Sequence, residues 1–331
     1  MINNIAVILG GHSSERAISL KSGEAIWKSL VRNGYKAFKV DPQDPDFTKS
    51  LQDQKPDLAF IALHGSGGED GSMQGFLETM NIPYTGSGVL ASALAMNKIY
   101  TQTILRSNQI KVPPFMTLTE KDLAKKGLDG LIEEIRGSFG FPALVKAPSQ
   151  GSTLGIHFIN KTDVPIEEQL TYALKEAFQL EKTILIEKMI TPSTEITIGI
   201  LGNDDPYPLP TLEITTVSGY YDYTSKYTKG LCEHIIPARL PASVRNKAKD
   251  LAVQVYKCLG CRGFARADFM IQGEDAYMID INTIPGFTEM SLLPDAAKAI
   301  GISFDQLTQY IVEMAQGKEF PSSVFSDFRY E

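Results

Sequence analysis

Between Arg266 and Ser291 the chain reads RADFMIQGEDAYMIDINTIPGFTEMS. Two carboxylates and an amide, Asp268, Asp280 and Asn282, lie inside its apolar, strand-like runs. Acids enter half-buried strands only when something offsets the desolvation of their charge. Mg²⁺ does so: it takes oxygen ligands, keeps part of its water and completes its octahedron with substrate phosphates. Residues two apart on a strand share a face, so Arg266 groups with Asp268, and Asp280 with Asn282. Gly273, Glu274 and Asp275 suggest a three-residue hairpin loop, which would set residue 268 opposite 280 and 266 opposite 282. The stretch after Asn282 is suited to backbone N–H donation toward a developing oxyanion.

Other segments could serve the same chemistry. Lys146 precedes a small-residue run ending at Gly155, where backbone N–H groups could approach phosphate oxygens beside a point charge. The Lys comes before the glycines, so this is not the G-x-x-x-x-G-K-[ST] loop. Glu187-Lys188-Met189-Ile190 follows a strand-like run and could offer its backbone to an adenine edge, with Glu195 available to ribose hydroxyls. The aromatic stretch Tyr220 to Tyr227, which contains Lys226, has the character of a lid that excludes water. His64-Gly-Ser-Gly-Gly-Glu-Asp-Gly71 follows a strand, as do Gly10, Gly11 and the cap-like residues up to Glu15. Neither has the G-x-G-x-x-G spacing of a dinucleotide fold. Taken singly, each stretch also fits a plain loop or turn.

The elements that must position these groups follow from periodicity. Strands at 4–9, 37–40 and 58–63 alternate with helices near 19–32 and 72–80, which predicts a parallel sheet wound with helices. The alternation breaks near 83–88, so a first domain is expected to end at about residue 95. Helices near 98–108, 121–137 and 164–178 and strands at 141–146 and 183–187 form a second unit. Runs at 195–201, 209–214, 264–271 and 276–281 predict an antiparallel set covered by helices near 242–259 and 303–315.

With 331 residues, 43% hydrophobic and 21% charged, the chain suits a soluble protein of two or three domains. A net charge of −7 argues against nucleic acid as the main partner. No apolar run reaches membrane-spanning length, and the first residues read as a strand rather than a signal peptide. Cys258 and Cys261 form a lone C-x-x-C on a helix-like segment, which reads as buried or inert thiols in a reducing cytosol.

Seven motifs occur in order: G-G-x-S-S-E, H-G-x-x-G-E-D-G, Y-T-G-S-G-V-x-A-S-A-x-A-M-x-K, K-x-x-x-x-G-S-T-x-G, E-K-x-I, Y-D-Y-x-x-K-Y and R-x-D…N-T-x-P-G-x-T-x-x-S-L. In this order, across about residues 4–315, the chain resembles the D-alanine–D-alanine ligases of the ATP-grasp superfamily. The resemblance implies an α/β and α+β, three-domain ATP-grasp fold with an N-terminal Rossmann-like (preATP-grasp) parallel sheet. The expected domains are 1–95, 96–185 and 186–331, the last with the metal and substrate site. The implied reaction phosphorylates the carboxylate of one D-alanine with ATP and lets the amine of a second displace the phosphate. The implied setting is cytoplasmic peptidoglycan-precursor synthesis by a homodimer, with no nucleic-acid or membrane partner.

By the same resemblance Asp268, Asp280 and Asn282 would hold two Mg²⁺, with Mn²⁺ as a substitute. Lys98 and Lys146 would contact the α- and β-phosphates and Lys226 the γ-phosphate. Glu187, Lys188, Ile190 and Glu195 would bind adenosine over Met270. Arg266 and the Gly286 N–H would stabilise the tetrahedral oxyanion. Glu15 would anchor the first substrate's ammonium with His64 nearby, and Ser291 and Leu292 the second substrate's carboxylate. Glu15, Ser152 and Tyr227 would form a hydrogen-bonded triad that closes the lid, and Lys226-Tyr227 favours a dipeptide product. The chain departs from the family pattern at Asp280, where Glu is usual, at Asn97, where Asp is usual, and at Ala147-Pro148 after the strand Lys. Ligases with another second substrate, such as D-serine or D-lactate, and a non-catalytic sensor of the same fold are the competing readings.

Overall fold

The computed structural model describes residues 2–151, 155–160, 162–216 and 232–321. Ser152, Lys226 and Tyr227, and with them the proposed lid, lie outside the described residues.

Strands β1 (Asn4–Ile8), β2 (Lys36–Val40) and β3 (Leu58–Ile61) form a parallel sheet in the order β2-β1-β3. After Asn4, β1 is an unbroken aliphatic run, Ile5–Ile8, because both of its faces are covered. Ile5 and Val7 enter one core and Ala6 and Ile8 another. Helix α1 (Arg16–Arg32) packs on this sheet, and helices α2 (Phe47–Gln54) and α3 (Ser72–Thr79) follow β2 and β3. The α1 face turned inward is small and polar as well as aliphatic, with Ser19, Ser22 and Ser29 buried beside Ile26 and Leu30.

Helices α4 (Val89–Met96) and α5 (Lys98–Ser107) come next. Ala91, Ala95, Leu105 and Ile110 join the core of the large C-terminal sheet, so the stretch 89–110, which the expected division at 95/96 cuts, shares one core. Asn97 caps α5 through its Oδ1, which accepts from the N–H groups of Ile99 at 3.1 Å and Tyr100 at 3.4 Å. An Asp could do the same. The Asn also donates Nδ2 to Ser149 Oγ at 2.9 Å, tying α5 to the loop after Lys146.

The central unit is a four-stranded antiparallel sheet built from β4 (Phe115–Thr119), β5 (Ala143–Lys146), β6 (Ile156–Ile159) and β7 (Thr183–Lys188), ordered β4-β7-β5-β6. Helices α6 (Glu120–Ser138) and α7 (Ile166–Leu180) cover one face. Ala143, Val145, Ile184 and Ile186 point toward them and close a separate core. Alternation sends Lys146 and Glu187 to the other face.

The largest sheet runs β11-β10-β8-β12-β13, with β9 attached to β8. Its strands are β8 (Thr194–Gly202), β9 (Tyr207–Pro208), β10 (Leu212–Thr216), β11 (Cys232–Ile235), β12 (Gly263–Gln272) and β13 (Asp275–Asn282). Helix α8 (Ala242–Cys258) covers the face formed by Ile196, Ile198, Ala265, Ala267 and Phe269. Helices α9 (Leu292–Lys298) and α10 (Phe304–Ala315) lie elsewhere. They share a core with Val7, Leu30 and Phe60, so the N-terminal sheet and the C-terminal helices are packed as one body. Cys258 ends α8 and Cys261 is buried just after it. Burial pushes the Cys261 thiol up to about 12 and raises Cys258 as well, which fits inert thiols.

Candidate active site

The β12–β13 hairpin brings Arg266 opposite Asn282 and Asp268 opposite Asp280. The route to this register differs from the expected one. Gln272 pairs with Asp275, so the turn has two residues, Gly273 and Glu274, and the missing residue is restored by an irregularity between Asp268 and Phe269. Asp268 faces Asp280 while Phe269 faces Met278, leaving Ile279 as the extra residue of a bulge. The bulge changes the parity of β13. Ala276 and Met278 enter the core below it, whereas past it Ile281 takes the core side and Asp280 and Asn282 emerge beside Asp268. A regular strand would have aimed both polar residues into the core.

Asp268 is the centre of the polar face. Arg266 grips it with two hydrogen bonds of 2.9 Å, from Nε and from a terminal nitrogen. Thr197 Oγ1 donates to it at 2.6 Å from the neighbouring strand β8, and Asn282 Nδ2 approaches at 3.4 Å. The paired carboxylate fixes the guanidinium plane. Asp280 lies 3.5 Å from the Lys98 ammonium. Its side chain is 29% exposed and that of Asp268 is 14% exposed, so both can still meet a ligand. Among the described residues no group of three or more His, Cys, Asp and Glu side chains could hold a metal ion. Two carboxylates and an amide oxygen on one face are a hard but incomplete donor set, which fits a cation completed by phosphate and water.

The opposing wall comes from the central sheet and α5. Lys98 and Gln102 lie four apart on α5, on one helix face. Lys98 donates to the Gln150 carbonyl at 3.2 Å, and its backbone N–H donates to the Pro148 carbonyl at 3.0 Å. Lys146 forms an ion pair with Glu187, whose other oxygen accepts from Gln102 Nε2 at 2.8 Å. Glu187 is 1% exposed. Its carboxylate is therefore spent on Lys146 and Gln102, and only its backbone can face a nucleotide base. Lys188 is exposed, and its N–H donates to the Pro114 carbonyl at 2.8 Å. Ile190 is buried nearby, and Met270 pairs in register with Glu195 on the same face as Arg266 and Asp268.

Glu15 immediately precedes α1 and reaches across to the loop after Lys146. A Cβ at Gly151 would stand 2.3 Å from its Oε1, so only glycine admits the carboxylate there. His64 is 3% exposed, with both ring nitrogens engaged in protein contacts. At the start of α9, Ser291 Oγ accepts from the Thr288 N–H at 2.9 Å, and a Cβ on Gly286 would lie 3.5 Å from the same oxygen. The Leu292 side chain packs with Leu212 and Ile214. The structure thus gathers Asp268, Asp280, Asn282 and Arg266 on the hairpin and Lys146, Glu187 and Lys188 on the central sheet, with Lys98 of α5 between them, 3.5 Å from Asp280. Thr197 and Gln102 were not legible as site residues, because a Thr in a strand and a Gln in a helix carry no spacing signal.

Two family descriptions match the chain: "D-ala D-ala ligase C-terminus" over residues 104–313 and "D-ala D-ala ligase N-terminus" over residues 41–87. The chain is 46% identical over 316 residues to the D-alanine–D-alanine ligase of Pelotomaculum thermopropionicum, covering 95% of this chain and 97% of that one. It is 44% identical to the D-alanine–D-alanine ligase of Desulforamulus reducens, covering 95% and 99%. Among solved structures it superposes on the D-alanine–D-alanine ligase from Bacillus anthracis complexed with ATP with a TM-score of 0.79 at 31% identity, covering 95% and 98%. It also superposes on the VanG D-Ala:D-Ser ligase from Enterococcus faecalis with a TM-score of 0.78 at 28% identity, covering 95% and 100%.

Proposed function

The chain belongs to the D-alanine–D-alanine ligase family, and from that membership we infer that it joins two D-alanines into D-alanyl-D-alanine at the expense of ATP, for peptidoglycan precursors. The observation that carries this reading is family identity along 95% of the chain together with a polar strand face of the required chemistry.

A carboxylate is a poor acyl donor because its leaving group would be oxide. Transfer of the γ-phosphoryl of ATP to the carboxylate of the first D-alanine converts that oxygen into a phosphate leaving group, and ADP departs. The amine of the second D-alanine then attacks the carbonyl carbon; the C–N bond forms, the C–O bond to phosphate breaks, and the amine loses a proton. Asp268, Asp280 and Asn282 fit two Mg²⁺ ions, or Mn²⁺, which when bound neutralise and orient the phosphates. Lys98 and Lys146 supply fixed positive charge for the α- and β-phosphates, and Lys226 for the γ-phosphate. Glu187, Lys188, Ile190 and Glu195 take the adenosine, above Met270. Arg266, held in plane by Asp268, and the Gly286 N–H meet the charge that develops on the carbonyl oxygen. Glu15 receives the first ammonium near His64, and Ser291 with the Leu292 N–H receives the second carboxylate. Glu15, Ser152 and Tyr227 act together in closing the lid. A three-part division of the chain, a homodimer and a cytoplasmic location belong to the same reading; among the described residues no helix is long and apolar enough to cross a membrane.

The test is ADP release measured with and without D-alanine, with the product identified. D-alanine-dependent ADP and D-alanyl-D-alanine are expected. ATP binding without D-alanine-dependent turnover would overturn the reading in favour of a sensor. The likeness to a D-Ala:D-Ser ligase makes D-serine the second substrate to set against D-alanine, with D-lactate alongside. A higher kcat/KM for either would move the chain to that specificity.

A further inference from the structure

The 284–287 backbone is held from the N-terminal unit by His64 and by Ser22, a residue with no assigned role. His64 lies after β3, with Nδ1 3.1 Å from the Ile284 carbonyl oxygen and Nε2 3.0 Å from Ser22 Oγ. A carbonyl only accepts, so Nδ1 carries the hydrogen toward Ile284; in the neutral ring Nε2 then accepts from the Ser22 hydroxyl. That leaves the Ser22 oxygen to accept, and the Phe287 N–H donates to it at 3.2 Å. Glu69 stands 3.8 Å from Nδ1, and its other oxygen accepts from the Gly65 N–H at 3.0 Å. The two anchored groups, Ile284 C=O and Phe287 N–H, bracket Pro285 and Gly286. Proline fixes one backbone angle of that pair. Beyond them Ser291 Oγ accepts from the Thr288 N–H at 2.9 Å. Gly286 is therefore tethered on both sides.

Ser22 itself has a fixed place. It is 0% exposed on the face of α1 that meets β1. At the next residue, Gly23, a Cβ would stand 2.4 Å from Leu9 Cβ, so helix and sheet are in close contact. A hydroxyl held this firmly is a reference point for the loop it grips. Preorganised donors stabilise an oxyanion because they need no rearrangement when the charge appears.

We propose that Ser22 is a positioning residue: with the His64 ring it fixes the 284–287 backbone so that the Gly286 N–H is already aimed where the tetrahedral oxyanion forms. The N-terminal unit thereby contributes to the chemical step as well as to substrate binding. The proposal rests on the ligase reading for its kinetic consequence, and on the geometry alone for its effect on the loop.

Ser22→Ala removes the acceptor of Phe287 and the partner of His64 together. The expected result is a fall in kcat of about 10- to 10²-fold, the scale of a misplacement near 1 Å, with KM for ATP unchanged. In a cycle with His64→Ala the double variant should lose little more than the worse single variant, because the two act as one unit. Multiplying losses, or a rise in ATP KM equal to the fall in kcat, would overturn the proposal. Peptide-level hydrogen exchange over 283–291 is the readout that does not need catalysis. It should quicken at least about tenfold in Ser22→Ala, since the Phe287 N–H loses its acceptor. Unchanged exchange overturns the proposal even if the wild type is no ligase. Should Ser22→Ala not fold, Ser22→Cys keeps the shape with a weaker acceptor; an intermediate fall in kcat supports the proposal, and wild-type kcat with wild-type exchange overturns it.

Discussion

Two carboxylate centres are joined through α5, Lys98 reaching Asp280 and Gln102 reaching Glu187, and they are built on opposite plans. On the C-terminal hairpin, Asp268 and Asp280 are partly exposed and lean on cations from Arg266 and Lys98. On the central sheet, Glu187 is buried and both its oxygens are taken by Lys146 and Gln102. The first plan leaves acids able to exchange a protein partner for a ligand. The second uses an acid to aim a lysine. A carboxylate in a nucleotide cleft is therefore not by its presence a ligand; what decides is how much of its hydrogen-bonding capacity the protein has already consumed.

The contrast can be broken most severely at Glu187. Glu187→Leu leaves the Lys146 ammonium buried without its counter-charge and should cost about 3–5 kcal/mol, read from denaturant midpoints. A loss under about 1 kcal/mol would mean that the pair is not structural. On the hairpin the damage should be catalytic instead. Arg266→Met is expected to lower kcat by about 10²–10³-fold with ATP KM unchanged, as when an oxyanion donor is lost. Stopped-flow ATP binding beside steady-state rates would check this, and equal losses in both would reassign the residue to nucleotide binding. Gly151→Ala sharpens the comparison from a third side. The added methyl must displace the Glu15 carboxylate, so KM for the first D-alanine should rise about tenfold, the scale of one charge-assisted hydrogen bond. An unchanged KM would detach Glu15 from substrate. The mildest change is Asp280→Glu, which should keep or raise kcat, since it extends the carboxylate toward the cleft. A dead variant would mean that Asp280 answers to Lys98 rather than to a metal.

Much of this architecture was readable beforehand, and the exceptions have physical causes. The aliphatic run at 58–63 and the strand–helix alternation around it point together to a parallel sheet, as found for β1 and β3. The pairing of Asp268 with Asp280 was also readable, though by a wrong route: a two-residue turn plus a bulge gives the same offset as a three-residue turn, and no residue type marks Ile279 as the extra one. Helix α4 went unrecognised because Val89-Leu-Ala-Ser-Ala-Leu-Ala-Met96 is apolar nearly all round and has no clear stripe. Ser22 and Gln102 escaped because their partners lie 265 and 85 residues away. Contacts of that range leave no local trace, yet the buried serines at 19, 22 and 29 of α1 share one helix face, a pattern that could have signalled polar work inside.

The division of the hydrophobic cores has a mechanical consequence. The N-terminal sheet shares its interior with the C-terminal helices, whereas the four-stranded sheet closes over a core of its own. Any opening wide enough to admit a nucleotide is cheapest as a swing of that one lobe, pivoting on the two connections that flank β4 and β7, with the rest of the molecule as a fixed frame. On that geometry the Gln102–Glu187 hydrogen bond, at the end of β7, joins the lobe to the frame close to the pivot.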